Sequence, residues 1–266
     1  MINLAKRNVK IFLRDPARVF FSCLSILITV AIYFLFLGNA LQTEQTPAAV
    51  VEAWMIAGII AVSPLTVSTG TIGSMVLDKF TKIFRDFYIS PLKRSEIVLS
   101  YIFSTVFICV SLSLIGFGAM VLLVEMLVMA DYLAILGLIV LTSLASTAIM
   151  AFVASLFNSY AAYSAVGSVM GVLTGFLAGA FMPIGNFSET VRRIVFLFPI
   201  SHAAALFRQI AVPNAEHIPL EYQIHLGLRL TFGDFVAEPW LNVVFLVGTL
   251  VVFGGLAVVS ISRKGK

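Results

Sequence analysis

Six long stretches of the sequence contain no charged residue, and they constrain the fold more than any other feature. They cover residues 19–37, 53–77, 97–124, 133–157, 164–182 and 240–262. A bilayer core about 30 Å thick needs roughly 20 apolar residues per helix, and each stretch is close to that length or exceeds it. The sequence therefore predicts an all-α polytopic membrane protein, with six transmembrane helices in a single domain over residues 1–266.

The composition and charge agree with a lipid environment. Hydrophobic residues make up 60% of the chain and charged residues only 11%, whereas soluble domains contain about 25% charged residues. The net charge of +4 is concentrated near the ends of the apolar stretches, so we interpret it as an orientation signal and expect no nucleic-acid partner. Cys23 and Cys109 both fall inside apolar stretches, which predicts buried thiols and not a disulfide.

Basic residues cluster on alternate loops and predict the orientation. Residues 1–18 hold five Lys and Arg, residues 78–96 hold five, and residues 263–266 hold three. Loops 38–52 and 125–132 hold none. Because Lys and Arg accumulate on the cytoplasmic side, we expect a multi-pass protein of the cell (inner or plasma) membrane with both termini in the cytoplasm. A cleaved signal peptide fits the first stretch less well, since signal cores have about 7–15 apolar residues.

The segment before the first stretch is amphipathic. One face of residues 1–18 is apolar, and the opposite face contains Lys6, Arg7 and Lys10. This pattern predicts either a short helix that lies in the membrane interface or charges that only set the topology.

The loop over residues 78–96 contains a second amphipathic helix. Helical spacing gives it one apolar face, composed of Phe80, Ile83, Phe84, Phe87 and Tyr88. Arg85 and other polar residues lie opposite, and Pro91 predicts the end of the helix. Such a helix either presents aromatic side chains to a cytosolic partner or lies on lipid headgroups, and its spacing fits both interpretations.

Small residues and proline mark two further features. A row of glycines four positions apart predicts a close packing face, against another subunit or a neighbouring helix: Gly167, Gly171, Gly175 and Gly179. Residues 183–212 are apolar but interrupted by charged residues and Pro199, which predicts two short helices that enter the membrane from the outer side and return. A peripheral helix pair is the alternative. Residues 213–239 then form a polar outer loop.

The sequence offers no catalytic, metal-binding or cofactor-binding motif. The only Gly-Lys pair is Gly265-Lys266, which cannot form a phosphate-binding loop. His217, Glu221 and His225 are four residues apart, but Pro219 interrupts their helix, so we expect no metal site. The predicted spans also lack the charged residues that ion-coupled carriers usually keep in the bilayer, which favours an apolar or amphipathic solute for any transport.

Two stretches occur together in an order that points to a known family. Residues 78–101 contain a charged amphipathic helix, a Ser-Pro step, a basic pair and the start of the third span. Residues 177–208 contain, in order, Gly179, Pro183, Pro199 and Arg208. With the six spans, this arrangement resembles the permease subunits of type-2 ATP-binding-cassette exporters, particularly bacterial drug-export permeases.

The resemblance implies the partners and the mechanism. It implies a half-transporter that pairs with a second permease chain, as a homodimer or heterodimer, and with two copies of a cytosolic ATPase subunit. ATP and Mg²⁺ would bind to the ATPase and not to this chain, which would be no enzyme itself. The pair would move a drug-like, lipid or peptide solute outward by alternating access.

The resemblance also implies site residues. It assigns ATPase coupling to Phe80, Ile83, Phe84, Arg85, Phe87 and Tyr88, and more weakly to Lys6, Arg7 and Lys10. It assigns subunit packing to the four-glycine row, and an outer gate to Pro183, Pro199 and Arg208. Two functions of other classes remain open at this point. One is an ATP-independent carrier or channel, and the other is a small membrane enzyme that acts on lipid-linked substrates.

Overall fold

Helices dominate the structure. The computed structural model describes residues 1–17, 19–20, 47–84, 87, 92–123 and 129–263, so the first predicted span lies outside the described residues except for its first two positions. The described residues form nine α-helices, which we number α1 (Ile2–Arg14), α2 (Ala48–Phe80), α3 (Arg94–Leu123), α4 (Met129–Leu156), α5 (Tyr160–Leu177), α6 (Glu189–Leu197), α7 (Pro199–Ala211), α8 (Leu220–Leu226) and α9 (Pro239–Arg263).

The long helices confirm the all-α polytopic fold. Five helices, α2, α3, α4, α5 and α9, are long and apolar enough to cross a membrane. The short helices α6 and α7 meet at 91° across Phe198. If this bent pair is one broken span, the number of candidate spans rises to six. Pro199 is the first residue of α7, where the missing N–H and fixed φ of proline suit the start of a helix.

Helix α2 lies at the centre of the bundle. It packs against α3, α4, α5 and α7, while α9 packs on α4 and α7. Pro64 interrupts the hydrogen bonding of α2, because proline has no N–H to donate to the carbonyl of Ile60. The hydroxyl of Ser63 donates to that carbonyl at 3.1 Å and also lies 3.2 Å from the hydroxyl of Ser113 on α3. A side chain therefore replaces the lost backbone bond inside an apolar bundle.

The amphipathic segment at the start of the chain is helical. One face of α1 carries Leu4, Asn8 and Phe12, all buried. Phe12 packs with Val67 of α2 and Ile108 of α3, so α1 lies against both spans.

Two parts of the chain differ from the sequence prediction. The predicted span 164–182 is a helix from Tyr160 to Leu177, and Gly179 follows that helix with a φ of 65°. The glycine row on α5 therefore ends at Gly175. In the predicted outer loop 213–239, Thr231–Phe232 (β1) and Phe235–Val236 (β2) form a small antiparallel hairpin, with Thr231 opposite Val236.

Candidate functional site

The loop between α2 and α3 does not form one continuous amphipathic helix. Helix α2 runs to Phe80, Thr81 and Lys82 form a turn in which Lys82 has a φ of 66°, and Ile83, Phe84 and Phe87 are helical again. Phe80 is 62% exposed, whereas Phe84 is only 8% exposed. The predicted aromatic face is thus divided between an outward and an inward side chain. Arg85 and Tyr88 lie outside the described residues.

A carboxylate joins three helices beside this loop. Asp78, in the last turn of α2, accepts a hydrogen bond from the hydroxyl of Tyr101 on α3 at 2.5 Å. The same carboxylate oxygen accepts from Arg7 of α1 at 3.0 Å. Burial lowers the pKa of the Arg7 guanidinium, but the hydrogen bond and charge of Asp78 outweigh this effect and the pKa is raised. Arg7 is therefore a permanent cation in an ion pair within the chain.

Aromatic side chains attach the loop to this carboxylate. The ring of Phe84 stacks on that of Tyr101, with 5.9 Å between centroids and 10° between planes. Phe87 meets Phe84 edge-on at 6.0 Å, and the guanidinium carbon of Arg7 lies 5.3 Å from the centroid of the Phe87 ring. We call Arg7, Asp78, Phe84, Phe87 and Tyr101 the loop junction. It connects the loop with α1, α2 and α3.

The predicted coupling residues do not share one exposed surface in the structure. Arg7, Phe84 and Phe87 have partners inside the chain, whereas Phe80 points outward and Ile83 is half-buried. Lys6 and Lys10 are exposed on a side of α1 that faces Phe103 of α3. The sequence did not single out Asp78 and Tyr101 as site residues, although they are the first and last residues of the first stretch that carries the family resemblance. Asp78 is also the first charge after a long uncharged stretch, which was an available signal.

Two of the glycines on α5 have close neighbours in the same chain. A Cβ atom at Gly167 would lie 2.4 Å from the Cγ2 of Thr69 on α2, and one at Gly175 would lie 2.2 Å from the ring of Phe181. A Cβ at Gly171 would meet nothing within 4 Å. The packing at Gly167 and Gly175 is therefore within the chain, and a role of this row in subunit contact stays a prediction.

Near the other end of α2, Arg208 of α7 is fully buried without a carboxylate among its described contacts. Its Nη2 donates to the carbonyl of Gly179 at 2.6 Å, and its Nε donates to the carbonyl of Trp54 at 3.5 Å. The guanidinium carbon lies 4.8 Å from the centroid of the Trp54 ring. Within the described part of the chain, its Nη1 has no hydrogen-bond partner. Arg208 thus connects α7 with α2 and with the turn after α5.

Three glycines make room for this guanidinium. A Cβ at Gly58 would lie 2.9 Å from Nη2 of Arg208, and Cβ atoms at Gly179 and Gly227 would lie 3.3 and 3.1 Å from Nη1. Gly179 and Gly227 also have φ angles of 65° and 72°, which favour glycine. Only Gly179 was singled out from the sequence, because Gly58 and Gly227 carry no spacing signal.

The other predicted gate residues lie on either side of this arginine. Pro183 is buried and precedes a short 3₁₀ turn, Ile184–Asn186, whose Ile184 packs beside Gly179. Pro199 begins α7, nine positions and about 13 Å before Arg208. The structure therefore brings Pro183 and Arg208 into one region, whereas Pro199 lies at the opposite end of α7 from Arg208. Their gating role stays a prediction.

Comparison with known proteins identifies the family. The sequence model of the ABC-2 family transporter proteins matches residues 42–259, which is most of the chain. No curated protein matches the sequence. The match covers α2 to α5 and all of α9 except its last four residues, together with the α2–α3 loop, the loop junction apart from Arg7, and the Arg208 region. The chain therefore belongs to the ABC-2 transporter family, as a multi-pass membrane component of a transporter that works with an ATPase subunit.

Proposed function

We propose that this chain is one half of an ATP-driven exporter that moves an apolar or amphipathic solute out of the cell. In this proposal two copies of a cytosolic ATPase bind ATP and Mg²⁺, and they act on a pair of permease chains. Both termini and the α2–α3 loop are cytoplasmic. ATP binding moves the loop, and the spans alternate between inward and outward access.

The loop junction is the observation that carries this proposal. A force on the loop acts through Phe84 on Tyr101 of α3 and through Phe87 on Arg7 of α1. Asp78 transfers it to α2 through its two hydrogen bonds. Charge-assisted hydrogen bonds of this kind are about twice as strong as neutral ones. The loop is therefore fixed to three helices at once and can move them together.

Helix α2 also reaches the opposite end of the bundle. Asp78 and Trp54 are 24 positions apart on α2, which corresponds to about 36 Å of helix and exceeds the thickness of a bilayer core. Trp54 is the residue that contacts Arg208. A displacement of α2 at the loop junction would therefore also move Trp54 and its contact with Arg208 at the predicted outer gate. Alternating access requires such a coupled movement of the two ends.

Phe80 is the described loop residue that is best placed to contact the ATPase, since 62% of it is exposed. The experiment compares wild type with Phe80→Asp, each co-expressed and purified with the cognate ATPase subunit. We expect the variant to lose the bound ATPase without a change in thermal unfolding, because no buried contact is removed. A matched control is Leu220→Asp on α8, which alters a side chain of 53% exposure remote from the loop.

Retention of the ATPase by Phe80→Asp at the level of wild type would contradict the docking role of Phe80. Solute movement by the purified chain in vesicles without any ATPase would overturn the proposed function as a whole.

A further inference from the structure

A groove between α1 and α3 has apolar walls and a basic rim. Its volume is about 560 Å³, within the range of about 300–1,000 Å³ that is usual for small-ligand clefts. Its walls include Leu13 of α1 with Phe103 and Phe107 of α3, which are 63%, 51% and 60% exposed. These exposed apolar side chains come from two helices, α1 and the span α3, and together they favour an apolar occupant for the groove.

Three basic residues line the rim of this groove. Lys6, Lys10 and Arg14 are spaced four apart on α1, so consecutive positions are about 6 Å apart along one side of the helix. All three are exposed, and among the described residues none of them forms an ion pair. By contrast, Arg7 on the neighbouring side of α1 is held by Asp78. The rim therefore carries positive charge that the described part of the protein does not neutralise.

We propose that this groove binds an anionic phospholipid. The acyl chains lie against Leu13, Phe103 and Phe107, and the phosphate lies between Lys6 and Lys10. Apolar walls combined with a row of cations fit a molecule that has hydrocarbon chains and a negative headgroup. A zwitterionic lipid has the same chains but no net charge to match the rim. Lys6 and Lys10 then recognise lipid and not the ATPase, so this inference does not require the coupling role proposed for the loop.

The experiment measures lipid retained by the purified chain. Protein stripped of lipid is mixed with phosphatidylglycerol or phosphatidylcholine and examined by native mass spectrometry. We expect wild type to retain phosphatidylglycerol preferentially. The double variant K6Q/K10Q should bind it roughly 30-fold more weakly, since each basic residue near an anionic headgroup contributes about a fivefold change in affinity. The control K82Q/K93Q removes two exposed lysines outside the groove and should retain lipid as wild type does.

A second variant tests the apolar part of the site and leaves every charge in place. Ala5 lines the groove, so the larger side chain in Ala5→Trp should fill it. Lipids of both headgroup classes should then be lost from the groove. Equal retention of the two lipids by wild type would overturn the proposal. An equal loss in K6Q/K10Q and K82Q/K93Q would also overturn it, because the attraction would then be diffuse. Unchanged retention in Ala5→Trp would also overturn it, because the bound lipid would then lie outside the groove.

Discussion

Two buried tyrosines allow the strength of the loop junction to be measured. Tyr101 and Tyr163 are both 1% exposed, and each hydroxyl donates one hydrogen bond within the chain. The hydroxyl of Tyr101 donates to the carboxylate of Asp78 at 2.5 Å, and that of Tyr163 donates to the backbone carbonyl of Thr69 at 2.8 Å. Replacing either residue by phenylalanine removes the hydroxyl and keeps the ring. The two substitutions therefore differ mainly in the charge of the acceptor.

The expected magnitudes follow from that difference. A hydrogen bond to a charged group contributes about 1.5–3 kcal/mol to stability, and a neutral one contributes about 0.5–1.5 kcal/mol. Neither substitution leaves its acceptor empty, since Asp78 keeps Arg7 and Thr69 lies inside helix α2. We therefore expect Tyr101→Phe to lower the free energy of unfolding by about 2 kcal/mol and Tyr163→Phe to lower it by about 1 kcal/mol.

The assay is unfolding of the purified chain by sodium dodecyl sulfate in mixed micelles, followed by circular dichroism. A double-mutant cycle adds Asp78→Asn, which removes the charge but keeps the shape of the acceptor. In that background, Tyr101→Phe should cost only about 1 kcal/mol, as for a neutral pair. Equal costs for Tyr101→Phe and Tyr163→Phe in the wild-type background would refute the argument. A cost for Tyr101→Phe that does not depend on Asp78 would refute it as well.

Two further predictions concern helix α2. Gly58→Ala should lower the melting temperature, because the new Cβ would lie 2.9 Å from Nη2 of Arg208, which is buried and held by the carbonyl of Gly179. Overpacking typically costs about 1–3 kcal/mol, which exceeds the gain in helix propensity of about 1 kcal/mol. The control is Gly171→Ala on α5, where the new Cβ would meet nothing within 4 Å, and it should leave the melting temperature unchanged or raise it. A larger drop in melting temperature for Gly171→Ala than for Gly58→Ala would contradict this reasoning. Ser63→Ala should cost about 1–3 kcal/mol in detergent unfolding by leaving the Ile60 carbonyl without its donor. Pro64→Ala restores the backbone N–H, so the cost of Ser63→Ala should fall in that background, and an unchanged cost would show that Ser63 acts elsewhere.

The positions of the helices followed closely from the sequence. Uncharged runs of about 20 residues predicted each long helix that the structure describes, because lipid forces every backbone polar group to bond within its own helix. The break near Pro199 was predicted for a similar reason, since proline cannot continue a helix from the preceding turn. The end of α5 was placed five residues too late, because Gly179 and its neighbours are as apolar as a span.

Contacts between helices were decided only by the tertiary structure. Spacing showed that Phe80 and Phe84 lie on one side of a helical projection, but not that a turn at Lys82 separates them and that Tyr101 covers Phe84. Charge counting placed Arg7 on a basic face, yet its partner Asp78 lies 71 positions away. Amphipathic periodicity determines which residues share a face of a helix, because it depends only on the geometry of one chain segment. Which neighbour covers that face depends on how several helices pack, and that information is distributed over the whole chain.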